Sequence, residues 1–281
     1  SPSRNDVMPV KDAYNYLDET TAVCNLKSFM VFGGEPMLYP ERVIAIFEKA
    51  RQLEIPRIDM ITNGVWGKDK EKAGKLAERL KNAGLNNVDV SVDVFHAQYV
   101  PVEYPQNAAS ALLKAGITDV KWNVAVVDSI DAENEYDSKT KQILKKLEPI
   151  GIDARFVKII PVGRAVQNLR KFFSRTTLHG PCENDPILGN PLTSPESICI
   201  EPSGSVDICW HLSIGNARKT SLSRIIAEYD WQNFPVIETL VKEGPVELLK
   251  LHTAHDFKFQ ENNYINKCQL CTEIRKTLTI S

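Results

Sequence analysis

The side chains with the most chemistry to offer are thiols. Six cysteines occur in the 281-residue chain: Cys24, Cys182, Cys199, Cys209, Cys268 and Cys271. The run Cys199-x4-Gly204-x4-Cys209 places two thiols on either side of a turn, and Cys268-x2-Cys271 supplies two more from one short segment. Four thiolates suit tetrahedral zinc or a [4Fe–4S] cluster, and spacing alone does not separate the two. Cys182 can replace one of the hairpin ligands or remain a loop thiol. Cys24 stands apart and reads as a small buried residue.

A second group of residues suits a bound cofactor. Gly33-Gly34-Glu35-Pro36 follows an apolar run. Paired glycines let backbone approach a ligand closely, and Glu35 adds a charge suited to an ammonium group. The bland alternative is a turn that needs glycine for its own geometry. Thr62-Asn63-Gly64, Ser91-Val-Asp93-Val-Phe95-His96 and Pro161-Val-Gly163-Arg164-Ala165 each follow another apolar run. Ser91 and Asp93 offer a hydroxyl and a carboxylate. Asn123 lies within a strand-like stretch, where it contacts a ligand or only a neighbouring strand. His96 is a weak catalytic candidate that could equally just order its loop. Arg164 is another, able to grip an anionic group bidentately. His211, His252 and His255 read as surface or loop histidines.

These residues need elements to position them. Strands are expected at 28–32, 57–61, 88–93, 120–127 and 155–160, with helices at 11–19, from Pro40, at 70–83, 106–115 and 139–147. Gly84 and Gly116 sit where helix-ending glycines belong. Five strands alternating with helices imply βα units and a parallel sheet. The motifs fall at strand ends, as in a barrel whose site lies on its carboxyl rim. No G-x-G-x-x-G follows the first strand, which weakens a dinucleotide-binding reading. The expected fold is therefore α/β, a partial (β/α)6 TIM-like barrel over residues 1–170. Residues 171–281 form a small cysteine-rich α+β domain, with loop at 174–197, a hairpin at 198–210, and helices at 221–229 and 236–251.

Composition narrows the class. Charges nearly balance, with 34 basic and 36 acidic residues, so bulk nucleic-acid binding is not expected. No apolar run approaches the roughly 20 residues that cross a bilayer, and the first residues are too polar for a signal peptide. A reducing, cytoplasmic location is the default expectation, and in that setting C-x-x-C points to metal before disulfide.

Taken together and in order, these motifs resemble the radical S-adenosylmethionine superfamily. The resemblance covers residues from about 10 to 275 and implies that Gly33, Gly34, Glu35 and Pro36 cradle the amino end of S-adenosylmethionine. Thr62, Asn63, Ser91, Asp93 and Asn123 would lie around it. It further implies reductive cleavage to a 5′-deoxyadenosyl radical that abstracts hydrogen from a peptide or small molecule. A donor such as ferredoxin or flavodoxin would supply the electron. The cysteine pattern looks like the auxiliary-cluster domain of this superfamily in its twitch/SPASM-like form, with Cys199, Cys209, Cys268 and Cys271 as ligands. The family's C-x-x-x-C-x-x-C motif for the catalytic [4Fe–4S] cluster is absent from these 281 residues. The chain starts at Ser1, and the polar Ser1-Pro2-Ser3-Arg4 resembles the stretch that commonly comes after the third cysteine of that motif. The expectation is a chain lacking the first strand and cluster loop, unable as it stands to cleave the cofactor. The alternative is a non-catalytic iron–sulfur or zinc protein on a degenerate barrel.

Overall fold

The computed structural model describes residues 6–182, 190–251 and 257–277. The chain divides into two compact units, Ser1–Ile159 and Ile160–Ser281.

The first unit alternates helix and strand: α1 (Val10–Val23), β1 (Ser28–Val31), α2 (Pro40–Gln52), β2 (Arg57–Thr62), α3 (Lys70–Ala83), β3 (Asn87–Ser91), α4 (Glu103–Lys114), β4 (Asp119–Val126), α5 (Glu135–Leu147) and β5 (Ala154–Lys158). All neighbouring strands are parallel, and their order across the sheet is their order in the chain. A doubly wound sheet reverses direction at a switch point; this one never does, which is the winding of a partial barrel.

Local chemistry explains the boundaries. Asp69 caps α3 by accepting from the Glu71 and Lys72 amides, and Gly84 ends it in the left-handed region at φ 113°. Asn134 caps α5 by accepting from the Tyr136 and Asp137 amides, so that helix starts four residues earlier than its apolar spacing suggests. The fully buried Asp137 carboxylate then accepts from the Val127 and Asp128 amides, fixing the helix start to the end of β4.

The two faces of the sheet differ. Ile58, Met60, Val88, Val90, Val120, Trp122 and Val124 point to the helices and bury with Phe47, Leu80 and Leu112. The alternate positions carry Asp59, Asn87, Asp89, Ser91, Lys121, Asn123 and Arg155, aligned by register from strand to strand. Parallel sheets covered on both sides are apolar on both. The second face here is polar, and Asp59, Asn87, Asp89 and Ser91 are buried on it. Ion pairs tie it together: Arg155 to Asp89 at 2.9 Å and Arg57 to Asp59 at 2.8 Å. Burial raises the Asp89 pKa, and the Arg155 charge opposes that shift.

The second unit contains α6 (Arg164–Leu169), a three-stranded antiparallel sheet of β6 (Cys199–Ile200), β7 (Ser205–Cys209) and β8 (Leu212–Asn216), then α7 (Leu222–Ala227), α8 (Pro235–Lys242) and α9 (Lys267–Thr277). The expected hairpin is present with a third strand added. The expected helix over 236–251 is not continuous. Gly244 takes φ 96° and Pro245 starts a separate 3₁₀ turn, Pro245–Leu251. Cys24 is corrected too: it is exposed at the end of α1, its thiol donating to the Thr20 carbonyl. The histidines at 252 and 255 lie outside the described residues, as does the Ser1–Arg4 segment. No helix among the described residues is long and apolar enough to cross a membrane.

Candidate functional site

The first two motifs meet through one carboxylate. Glu35 Oε1 accepts from the Met37 amide at 3.0 Å and the Thr62 hydroxyl at 2.7 Å, and Oε2 accepts from the Asn63 amide at 2.7 Å. Glu35 therefore bridges the carboxyl ends of β1 and β2. Burial raises its pKa, and the three hydrogen bonds work against that rise. A carboxylate has roughly four acceptor positions, so one remains for a ligand. Gly33 and Gly34 have φ of 89° and 52°, and an added Cβ at either would meet nothing within 4 Å. The glycines serve backbone direction and leave open space before them. Thr62 is further tied down, accepting from the Gly64 amide and the Trp66 indole. Pro36 is buried and begins the short turn Pro36–Leu38.

Asp93 is tied into its own loop and to β4. Its side chain is fully buried. Oδ1 accepts from the Phe95 and His96 amides, and Oδ2 meets the Ala125 amide and His96 Nδ1 at 2.9 Å. These bonds use its acceptor capacity, so Asp93 shapes the loop and aims the imidazole. The partly exposed His96 is the group left facing outward, within electrostatic reach of Glu35. Phe95 stacks on Tyr136 with ring centroids 5.3 Å apart. Ser91 is buried opposite Asn123 in the register, and Asn123 Oδ1 accepts from Arg155 Nη2 at 3.3 Å. Arg164 is exposed at the start of α6, in the second unit.

Burial opposes protonation of His96, yet its bond to Asp93 and the charges of Asp93 and Glu35 outweigh it, raising the pKa above 6.5. A raised folded value means stabilisation complete below the unfolded pKa and lost as pH rises through the folded one. Wild type should therefore gain stability over His96→Gln on the acid side. Melting curves of both from about pH 5.5 to about pH 8.5 should converge towards the alkaline end. A constant gap at every pH would show that the pair is not charged.

In the second unit the cysteines regroup. The Cys182 thiol pKa is pushed up to about 12 by burial and by Cys271, Cys268 and Cys209, all within electrostatic range. The Cys199 thiol rises to about 11 through burial and the neighbouring Glu201 and Asp207. So Cys182 lies with three of the four expected thiols, and Cys199 lies beside carboxylates. Cys268 and Cys271 occupy successive positions on one face of α9, three residues apart. The segment carrying Cys182 is held from two sides. Its amide donates to the Leu240 carbonyl at 2.9 Å, and Lys267 donates to the Pro181 carbonyl at 2.7 Å. Sequence spacing offered Cys182 as a replacement for a hairpin ligand without deciding it, because nothing near Cys182 repeats. It missed the hairpin trio Glu201, Asp207 and His211, whose donor atoms lie within 4.8 Å of one another. Asp207 already accepts from Ser205 at 2.6 Å, and its other oxygen lies 3.9 Å from His211 Nδ1.

Sequentially ordered parallel strands with glycine-bearing and polar loops at their carboxyl ends define a barrel-type α/β unit. The model of the radical SAM superfamily matches residues 1–163, and the chain belongs to that superfamily. Membership implies S-adenosylmethionine and a [4Fe–4S] cluster. The open glycine backbone and the available Glu35 acceptor fit the first. No three clustered cysteines in the first unit fit the catalytic cluster, since Cys24 is its sole cysteine. A GTP 3′,8-cyclase of Moorella thermoacetica is 30% identical over 156 residues, covering 53% of this chain and 45% of that protein. The one from Lactiplantibacillus plantarum is 22% identical over 191 residues, covering 65% and 54%. The chain thus spans about half the length of these curated relatives. Native anSMEcpe with bound AdoMet shares the fold, with a TM-score of 0.56 at 15% identity over 96% of this chain and 87% of that one.

Proposed function

We propose that this chain is the cofactor-handling part of a radical S-adenosylmethionine enzyme acting on a peptide or small molecule. The observation that carries the reading is Glu35, whose carboxylate joins the G-G-E-P and T-N-G loops and keeps an acceptor position before two open glycines. Given one electron, the bound cofactor would break its sulfonium–C5′ bond and release methionine and a 5′-deoxyadenosyl radical able to abstract hydrogen; these 281 residues carry no C-x-x-x-C-x-x-C to deliver that electron. The protein's own residues bind and orient. Glu35 accepts from the cofactor ammonium. The backbone at Gly33 and Gly34 lies alongside the methionine moiety. Ser91 and Asn123 would offer a hydroxyl and an amide to its ribose or methionine groups, and Asp93 holds His96. The electron comes from a donor such as ferredoxin or flavodoxin.

In the second unit Cys182, Cys209, Cys268 and Cys271 hold a [4Fe–4S] cluster of the twitch/SPASM type. This set keeps three of the ligands expected from spacing and exchanges Cys199 for Cys182. A coordinated thiol loses its proton outright, so the raised pKa of Cys182 does not stand against this role. The relatives' name supports a nucleotide as one candidate substrate. With half of each relative matched, the likeness supports cofactor handling more than substrate choice.

Equilibrium dialysis of S-adenosylmethionine against this chain tests the reading. Glu35→Ala removes a charged acceptor and its loop bridge, so affinity should fall about tenfold to a hundredfold. Equal affinity in variant and wild type would sink the assignment of Glu35, and no affinity in wild type would sink the reading of the site.

A further inference from the structure

Arg275 stands one helical turn after Cys271 on α9, and all three faces of its guanidinium are used. Nε donates to Cys271 Sγ at 3.2 Å. Nη1 donates to the His211 carbonyl at 2.7 Å, and Nη2 to the Trp210 carbonyl at 2.6 Å. Those carbonyls belong to the two residues directly after Cys209, at the turn between β7 and β8. That turn is strained, with His211 at φ 50° although it is not glycine.

From this geometry we infer that Arg275 is a positioning residue for the second cluster, locking the Cys209 hairpin onto the Cys268–Cys271 helix and donating a charged hydrogen bond to a ligand sulfur. This rests on the reading of Cys182, Cys209, Cys268 and Cys271 as cluster ligands. The planar fork is what allows it. One guanidinium reaches two adjacent carbonyls and a sulfur at once, and a lysine ammonium has no such fixed fork. The arrangement has two physical effects. The fork fixes the distance between ligands on separate elements, as outer-shell partners of metal sites do. The positive charge and the N–H···S bond stabilise the more negative, reduced cluster and so raise its reduction potential. A residue serving folding alone would produce the first effect in weakened form and not the second.

The test uses the full 281-residue chain, purified without oxygen and reconstituted with iron and sulfide. Wild type, Arg275→Lys and Arg275→Gln are compared by iron and sulfide content, rate of iron loss to a chelator, and midpoint potential from a redox titration. Arg275→Gln should lose iron about tenfold faster and titrate at a more negative potential. Arg275→Lys keeps the charge without the fork, so it should lose iron faster while its potential stays nearer to wild type. If Arg275→Gln does not fold, as judged by circular dichroism, the lysine variant carries the decision through its iron-loss rate. Wild-type iron loss and potential in a folded variant would overturn the role of Arg275 and leave the cluster intact. Absence of iron and sulfide from reconstituted wild type would overturn the cluster reading, and Arg275 with it.

Discussion

Replacing Cys182 with serine should strip iron and sulfide from the second unit, while replacing Cys199 should leave both in place. Cys182 is within electrostatic range of Cys209, Cys268 and Cys271, whereas Cys199 is flanked by Glu201 and Asp207. Outer-shell changes at metal sites already cost about tenfold to a hundredfold in affinity, so loss of a ligand should cost at least as much. Serine retains the size of cysteine but is a poor ligand for iron in a thiolate set. Iron and sulfide content of Cys182→Ser and Cys199→Ser, with the visible absorbance of each, decide the matter. A reversed pattern would return the fourth ligand to the hairpin. Bound zinc without sulfide would replace the cluster by a structural metal.

Alanine at Gly64 should damage both stability and cofactor binding. Gly64 has φ 70°, and an added Cβ would stand 2.5 Å from the Pro105 Cα in the first turn of α4. Left-handed backbone costs a non-glycine residue about 1–2 kcal/mol, and overpacking against backbone adds about 1–3 kcal/mol. The total is roughly 2–5 kcal/mol, a large share of a domain's stability. The damage should not stay local. Gly64 follows Asn63, whose amide donates to Glu35, so a displaced loop pulls a donor from the carboxylate that joins the two rim motifs. Denaturant melts of Gly64→Ala should show the loss, and dialysis should show weaker binding of S-adenosylmethionine. A variant as stable as wild type would mean that α4 yields to the loop at little cost.

Much of the first unit was legible because local and long-range signals agree there. Helix α3 was readable at both ends from its apolar spacing and Gly84, and the structure adds the Asp69 cap. The strands were readable from apolar runs ending in motif loops, and their sequential order follows from βα winding. The failures have physical causes. The helix expected over 236–251 followed its apolar spacing across Gly244-Pro245, although those residues carry the signal for a break. There an added Cβ on Gly244 would stand 1.9 Å from the Gly180 carbonyl, a tertiary contact that no periodicity reveals. The surroundings of Asp93 are a separate matter, since a carboxylate after a strand suits a ligand and nothing in the sequence shows what else it bonds. Its burial beneath three backbone amides shows only in three dimensions. For Cys182 the sequence left two roles open, because proximity to the other thiols comes from folding.

The thiols that meet at Cys182 include Cys271, about ninety positions further along the chain, and the entropy lost in joining such distant points grows with the logarithm of their separation. A metal centre held there is therefore a cross-link that ties the ends of the second unit together, much as a disulfide would in an oxidising setting. Its binding free energy becomes folding free energy for that unit. On the proposed reading, iron would add to the stability that this unit already draws from its buried Val206, Ile208, Leu240, Leu270 and Ile274.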